Sequence, residues 1–106
     1  MNGETAVWAD RVLVALADLA DLAGEVTEIK LIEQVAVRFA DRFGPSDRVY
    51  AANADYPRWH EAVREALRSL VAQGLVDDGD SPALSPAGRD HLDAARASTA
   101  EARTGA

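Results

Sequence analysis

The chain has 106 residues, 48% of them hydrophobic and 27% charged, values ordinary for one globular domain with a single core, and its formal net charge is −7. Zero cysteines exclude a disulfide framework and a thiolate metal site. No apolar run approaches the roughly 18 residues that span a bilayer, and Glu4 and Asp10 stand where a signal peptide would be basic, so a soluble cytoplasmic protein is expected.

Periodicity predicts a first helix over 7–22. Trp8, Val12, Ala15, Leu16 and Leu19 recur at helical spacing and define its buried face. Asp10, Asp18 and Asp21 lie away from it, Thr5 is the expected N-cap and Gly24 the stop. Val7 and Val14 sit one heptad apart on the polar side. They read either as two tolerated exposed valines or as part of a dimer seam.

Thr27 is the expected cap of a second helix over 28–43. Its predicted buried face is Ile29, Ile32, Val35, Ala36, Phe39 and Phe43, with Lys30, Glu33, Gln34 and Asp41 in water. Both phenylalanines are here, so this helix is expected to supply the centre of the core. Gly44 fits a left-handed cap, and Pro45 cannot continue the helix. Residues 45–55 make a long connection. Arg48 to Ala51 fits a short strand or one helical turn, and Arg48, Tyr50 and Asn53 are either partner contacts or parts of a solvated linker.

The stretch from Asp55 to Val76 carries the fold. Asp55 or Tyr56 caps a third helix over 57–73, with Pro57 in the first turn. Trp59, Val63, Ala66, Leu67 and Leu70 converge on one side, and Gly74 is the stop. Leu75-Val76 then reads as a strand, residues 77–82 as a turn-rich tip, and Leu84 as the anchor of a returning strand. Ser85 as N-cap and Pro86 at the first position start a fourth helix, with Leu92 and Ala95 inward. The expected fold class is mainly α with a small β-hairpin: a winged helix-turn-helix of three core helices, a wing and a C-terminal helix. Residues 1–97 form the domain, and 98–106 a flexible tail.

Pro57-Arg58-Trp59, Val63-Arg64, Ala66-Leu67, Leu70, Gly74-Leu75-Val76 and Leu84-Ser85-Pro86-Ala87-Gly88-Arg89 resemble the N-terminal winged-helix domain of Mrr-type restriction endonucleases. Thr27, Val35-Ala36 and Arg38-Phe39 are similar to that family's second helix. The resemblance covers about residues 7–95 and implies a DNA-reading module, usually fused in front of a nuclease domain. The D…[DE]-x-K arrangement of such a nuclease is not in this chain, and the wing, basic or aromatic in the family, carries Asp77, Asp78 and Asp80.

No Gly-rich phosphate loop or Gly-x-Ser-x-Gly elbow is present, and His60 and His91 fall on different helices without a third ligand at metal spacing. Neither an enzyme nor a cofactor or metal site is expected. Arg58, His60, Glu61, Arg64 and Arg68 lie off the apolar side of the third helix. In the winged-helix reading this helix enters the major groove of double-stranded DNA. Arg58 and Arg64 then suit guanine O6 and N7, Glu61 suits cytosine N4, and Arg48 adds a phosphate contact. His60 is either a nucleic-acid contact or a solvated residue. The same charged set also fits a face that only keeps the helix soluble, with Glu61 and Glu65 as partners for the arginines.

Two functions therefore stand. One is a DNA-binding module, a small regulator or a stand-alone restriction-associated-type DNA reader, with a homodimer seam from the first helix with Val7 and Val14 or from the fourth helix. The other is a protein-docking module, since a fold of this kind does not fix a function. Acidity argues against non-specific DNA binding, because phosphate neutralisation supplies much of that affinity. Only 57–73 has a positive balance, with three arginines against Glu61 and Glu65.

Overall fold

A computed structural model describes the backbone of residues 3–20, 26–50, 56–78 and 81–104, and the side chains of 7–20, 26–50, 56–77 and 81–99. The fold is mainly helical, with four helices and one two-stranded antiparallel sheet. In order these are α1 (Gly3–Ala20), α2 (Glu28–Phe39), 3₁₀ turns at Ala40–Arg42 and Pro45–Arg48, α3 (Arg58–Ala72), β1 (Val76–Asp78), β2 (Pro82–Leu84) and α4 (Pro86–Thr104). Among the described residues no helix is long and apolar enough to cross a membrane.

The centre of the core is α1, not α2. It packs on α2, α3 and α4 at once. Trp8, Val12, Leu13, Val14, Ala15, Leu16 and Leu19 are all buried, which takes in nearly its whole circumference. Each such valine or leucine contributes about 1.5–3 kcal/mol of transfer free energy when fully buried. Val14 is 1% exposed, so the expectation that it lies on a solvent face is wrong, while Val7 is 46% exposed. Helical backbone begins at Gly3, so Thr5 lies within the helix and is not its cap. Asp21 and Gly24 fall outside the described residues.

Thr27 caps α2 as expected: its Oγ1 accepts from the Lys30 N–H at 3.1 Å. The buried face differs from the expected one by a rotation. Leu31, Ile32, Val35 and Phe39 are buried, whereas Ile29 is 70% exposed. The helix has apolar residues on two sides, and Leu31 draws one of them onto α1. Gly44 takes φ −80°, ψ 170°, not the left-handed region. The following proline disfavours helical backbone at this residue and extends it, and the Gly44 N–H donates to Asp47 Oδ2 at 2.8 Å. The connection from 45 is a 3₁₀ turn, Pro45–Arg48, followed by an isolated bridge, Tyr50 to Pro57, so the helical turn ends at Arg48 and no strand forms over the described residues that follow it. Ala51, Asn53 and Asp55 lie outside the described residues.

Pro57 is the N-cap residue of α3 and supplies no side-chain cap. Val63, Ala66, Leu67 and Leu70 form the buried stripe, with Trp59 partly buried beside them. Gly74 ends the helix with φ +78°, the left-handed turn for which glycine is suited. The hairpin pairs Val76 with Leu84, Asp77 with Ala83 and Asp78 with Pro82. Asp77 and Asp78 therefore belong to the strand and not to the tip. Ser85 joins hairpin, α3 and α4. Its N–H donates to the Leu75 carbonyl at 3.1 Å, its hydroxyl donates to the Gly74 carbonyl at 2.5 Å, and its Oγ accepts from the Gly88 N–H at 3.1 Å. Ala95 is buried and Leu92 partly buried. Past Ala97, where a tail is expected, α4 runs on to Thr104, and the Thr99 carbonyl accepts from Arg42 Nη1 at 2.6 Å.

Candidate macromolecule-binding face

The start of α3 is fixed by backbone. The Arg58 N–H donates to the Val49 carbonyl at 2.9 Å, next to the Tyr50–Pro57 bridge. Beneath it runs a file of rings. Trp8 and Phe43 have centroids 5.2 Å apart, Phe43 and Trp59 5.0 Å, Trp59 and His60 4.1 Å, and His60 and Tyr56 5.4 Å. Such contacts add about 0.5–1.5 kcal/mol per aromatic pair beyond area burial. Arg11, which had no assigned role in the sequence, lies against this file with its guanidinium 4.7 Å from the Trp8 ring centroid, and burial lowers its pKa.

Five of the six expected contact residues share α3, but they are not equivalent. Arg58, Glu61, Glu65 and Arg68 are exposed and recur at three- and four-residue steps. They form the outward stripe of the helix, opposite the buried one. That stripe holds two positive and two negative charges and has no net charge. Arg64 lies to the side of it, where its Nε donates to Glu28 Oε1 of α2 at 2.9 Å. Its Nη1 is 3.7 Å from Glu61 Oε2, and its guanidinium covers the Tyr56 ring at 4.7 Å. The Glu28 hydrogen bond raises its pKa further. Arg48 is held by its own chain, donating from Nη2 to the Ala40 carbonyl at 2.6 Å over the Phe43 ring. Only Arg58 and Arg68 of this set keep no side-chain partner among the described residues.

His60 is half-buried between Tyr56 and Trp59. Burial first, and the nearby Arg64 charge second, lower its pKa below the usual 6.5. The neutral ring is thus the folded form, and the unfolded chain protonates first on acidification. His60 therefore contributes nothing to pH dependence well above 6.5, and lowers stability as pH falls below about 6.5. An NMR titration is expected to place its midpoint below that of a free histidine. A midpoint at or above the free value would show that the ring is not held in this environment.

The feature that periodicity did not isolate is apolar. Ile29 and Val37 are 70% and 79% exposed on the outer side of α2. With Ile32, Ala36, Trp59 and His60 they line a cleft of about 660 Å³ between α2 and α3, edged by Glu33 and Arg64. Its signal in the sequence is the surplus of apolar residues in α2 beyond one face. Comparison of the chain with protein-family models, curated proteins and solved structures returned no match.

Proposed function

We propose that the chain is a winged-helix module that docks a partner protein through the α2–α3 cleft. The element order supports the fold: three helices, a hairpin directly after the third, then a C-terminal helix. The likeness to the Mrr-type N-terminal domain rests on the sequence blocks alone. The observation that carries the docking reading is the exposed pair Ile29 and Val37 beside an α3 stripe without net charge. Apolar surface of this kind marks contact sites more than phosphate sites.

Charge selects the occupant. Exposed Glu33 stands between Ile29 and Val37, one helical turn from each. A second copy packed about a two-fold axis at this ridge would set Glu33 against Glu33. A partner helix with two apolar anchors about 12 Å apart, eight residues at 1.5 Å each, and a Lys or Arg between them would match it. The net charge of −7 favours the same basic partner. In ¹⁵N NMR titrations, a helical peptide with the pattern Leu-x-x-x-Lys-x-x-x-Leu is expected to shift Ile29, Val37 and Trp59. It should bind severalfold more tightly than its Glu-for-Lys counterpart, an exposed charge pair being worth up to about 1 kcal/mol. Glu33→Lys should reverse that order, and Val37→Asp should abolish both. Equal affinity for the two peptides would refute the assignment of a basic occupant.

A second reading, double-stranded DNA in contact with α3, is favoured by one observation: Arg58 and Arg68 are exposed and unpartnered among the described residues. Two free cations predict a log–log salt slope of roughly −2, weak beside the 6–10 phosphate contacts of tight binders. Submicromolar duplex binding that weakens in Arg58→Ala/Arg68→Ala would favour this reading over docking.

A further inference from the structure

We propose a second, separate site: the cleft between α1, β2 and α4 binds a small amphiphilic carboxylate. This cleft has a volume of about 350 Å³, within the range of small-ligand sites, about 300–1,000 Å³. Leu16, Ala17, Leu84 and Leu92 supply apolar walls, and Arg89 and Arg96 flank them. The two arginines are seven residues apart on α4, two turns along one stripe, so both side chains leave the helix on the face that lines the cleft.

Charge separates this cleft from two others among the described residues. The α2–α3 cleft is edged by Glu33, and a smaller one beside Arg68 contains Glu28. The described lining of this cleft has two cations and no anion. Elsewhere the arginines are mostly occupied: Arg38 is 3.4 Å from Asp18, Arg64 is on Glu28, and Arg42 and Arg48 are on carbonyl oxygens. Arg89 and Arg96 keep no side-chain partner among the described residues, in a chain with a net charge of −7. An apolar body on the leucines with a carboxylate on the guanidinia satisfies both features at once. Arginine is suited to that anion because its planar fork donates two parallel hydrogen bonds. No residue of this cleft belongs to the α2–α3 cleft, so the two proposals stand or fall separately.

The test is calorimetry and ¹⁵N NMR on the full chain with monomeric sodium decanoate, decyl phosphate, decyltrimethylammonium and acetate. Decanoate is expected to bind and to shift Leu16, Leu84 and Leu92. The double variant Arg89→Ala/Arg96→Ala, whose changes are at exposed positions, should weaken it roughly tenfold or more, in keeping with charge-assisted bonds. Acetate and the quaternary ammonium should not bind. Absence of decanoate binding at about 1 mM, equal binding of the ammonium, or an unaffected double variant would overturn the proposal. Tighter binding of decyl phosphate would replace the carboxylate by a phosphate monoester and overturn the assigned ligand class. Association with anionic phospholipid vesicles in place of monomeric decanoate would also overturn it.

Discussion

Gly88→Ala is expected to destabilise the chain by about 3 kcal/mol or more, well beyond the usual range of an alanine substitution in a helix. A Cβ on Gly88 would fall on the Leu75 carbonyl oxygen, far inside contact distance, with the Leu84 side chain 3.4 Å away on another side. Leu75 has little freedom to retreat. Its carbonyl accepts from the Ser85 N–H at 3.1 Å, and its own N–H donates to the Leu70 carbonyl at 2.9 Å. Moving it would break the joint between α3, the hairpin and α4. Two other glycines calibrate the effect. Gly74→Ala meets no neighbour but must hold φ +78°, which costs about 1 kcal/mol. Gly44→Ala has ordinary φ and only a 3.7 Å contact to Asp47, so its cost is within about 0.5 kcal/mol. Urea denaturation should rank the three Gly88, Gly74, Gly44, with unchanged m-values. For a domain near this size, 3 kcal/mol lowers Tm by roughly 12–24 °C. A Gly88→Ala protein as stable as the parent would mean that α4 does not approach Leu75 as described.

The order of the three costs illustrates what was legible in the sequence. Part of the local punctuation was legible, because caps and stops act on neighbouring backbone: Thr27 at α2, Gly74 after α3, and Ser85-Pro86 before α4 are each where their chemistry requires, whereas Thr5, Gly44 and the cap of α3 are not. The close packing of Gly88 was not, since it depends on a carbonyl thirteen positions earlier that only the hairpin brings near. Arg64 is the same case on the candidate face. Its place off the apolar side followed from periodicity, but its partner Glu28 is 36 residues away, so its loss to an ion pair could not be read from α3 alone. Periodicity also fails where a helix has two apolar sides. Nothing local in α2 decides between Ile29 and Leu31; packing against α1 does. The residue that loses that competition becomes the exposed apolar surface from which docking is argued.

Competition of this kind also governs α1, and it makes Val14→Asp the second large expected effect. On a helical wheel Val14 shares a side with aspartates, and a dimer seam there was one of its two sequence readings. In the fold it is 1% exposed, because α1 is enclosed by three helices and few of its directions face water. An aspartate there would be buried in the apolar core. Such a group costs about 3–5 kcal/mol even after relaxation, a large part of the 5–15 kcal/mol that holds a domain together. Val7→Asp, at 46% exposure, should change stability by no more than about 0.5 kcal/mol. The pair separates core from seam. At a seam, Val14→Asp would yield a folded monomer, and its effect would depend on protein concentration. In the core it yields the same large loss of stability at every concentration. Val14→Ala keeps the test readable if the aspartate variant does not fold at all. It removes buried methyl groups at a cost of about 1–3 kcal/mol, with the sedimentation coefficient of the folded state unchanged. A folded Val14→Asp chain of reduced mass would restore the seam, and with it the reading in which α1 faces another copy and not its own core.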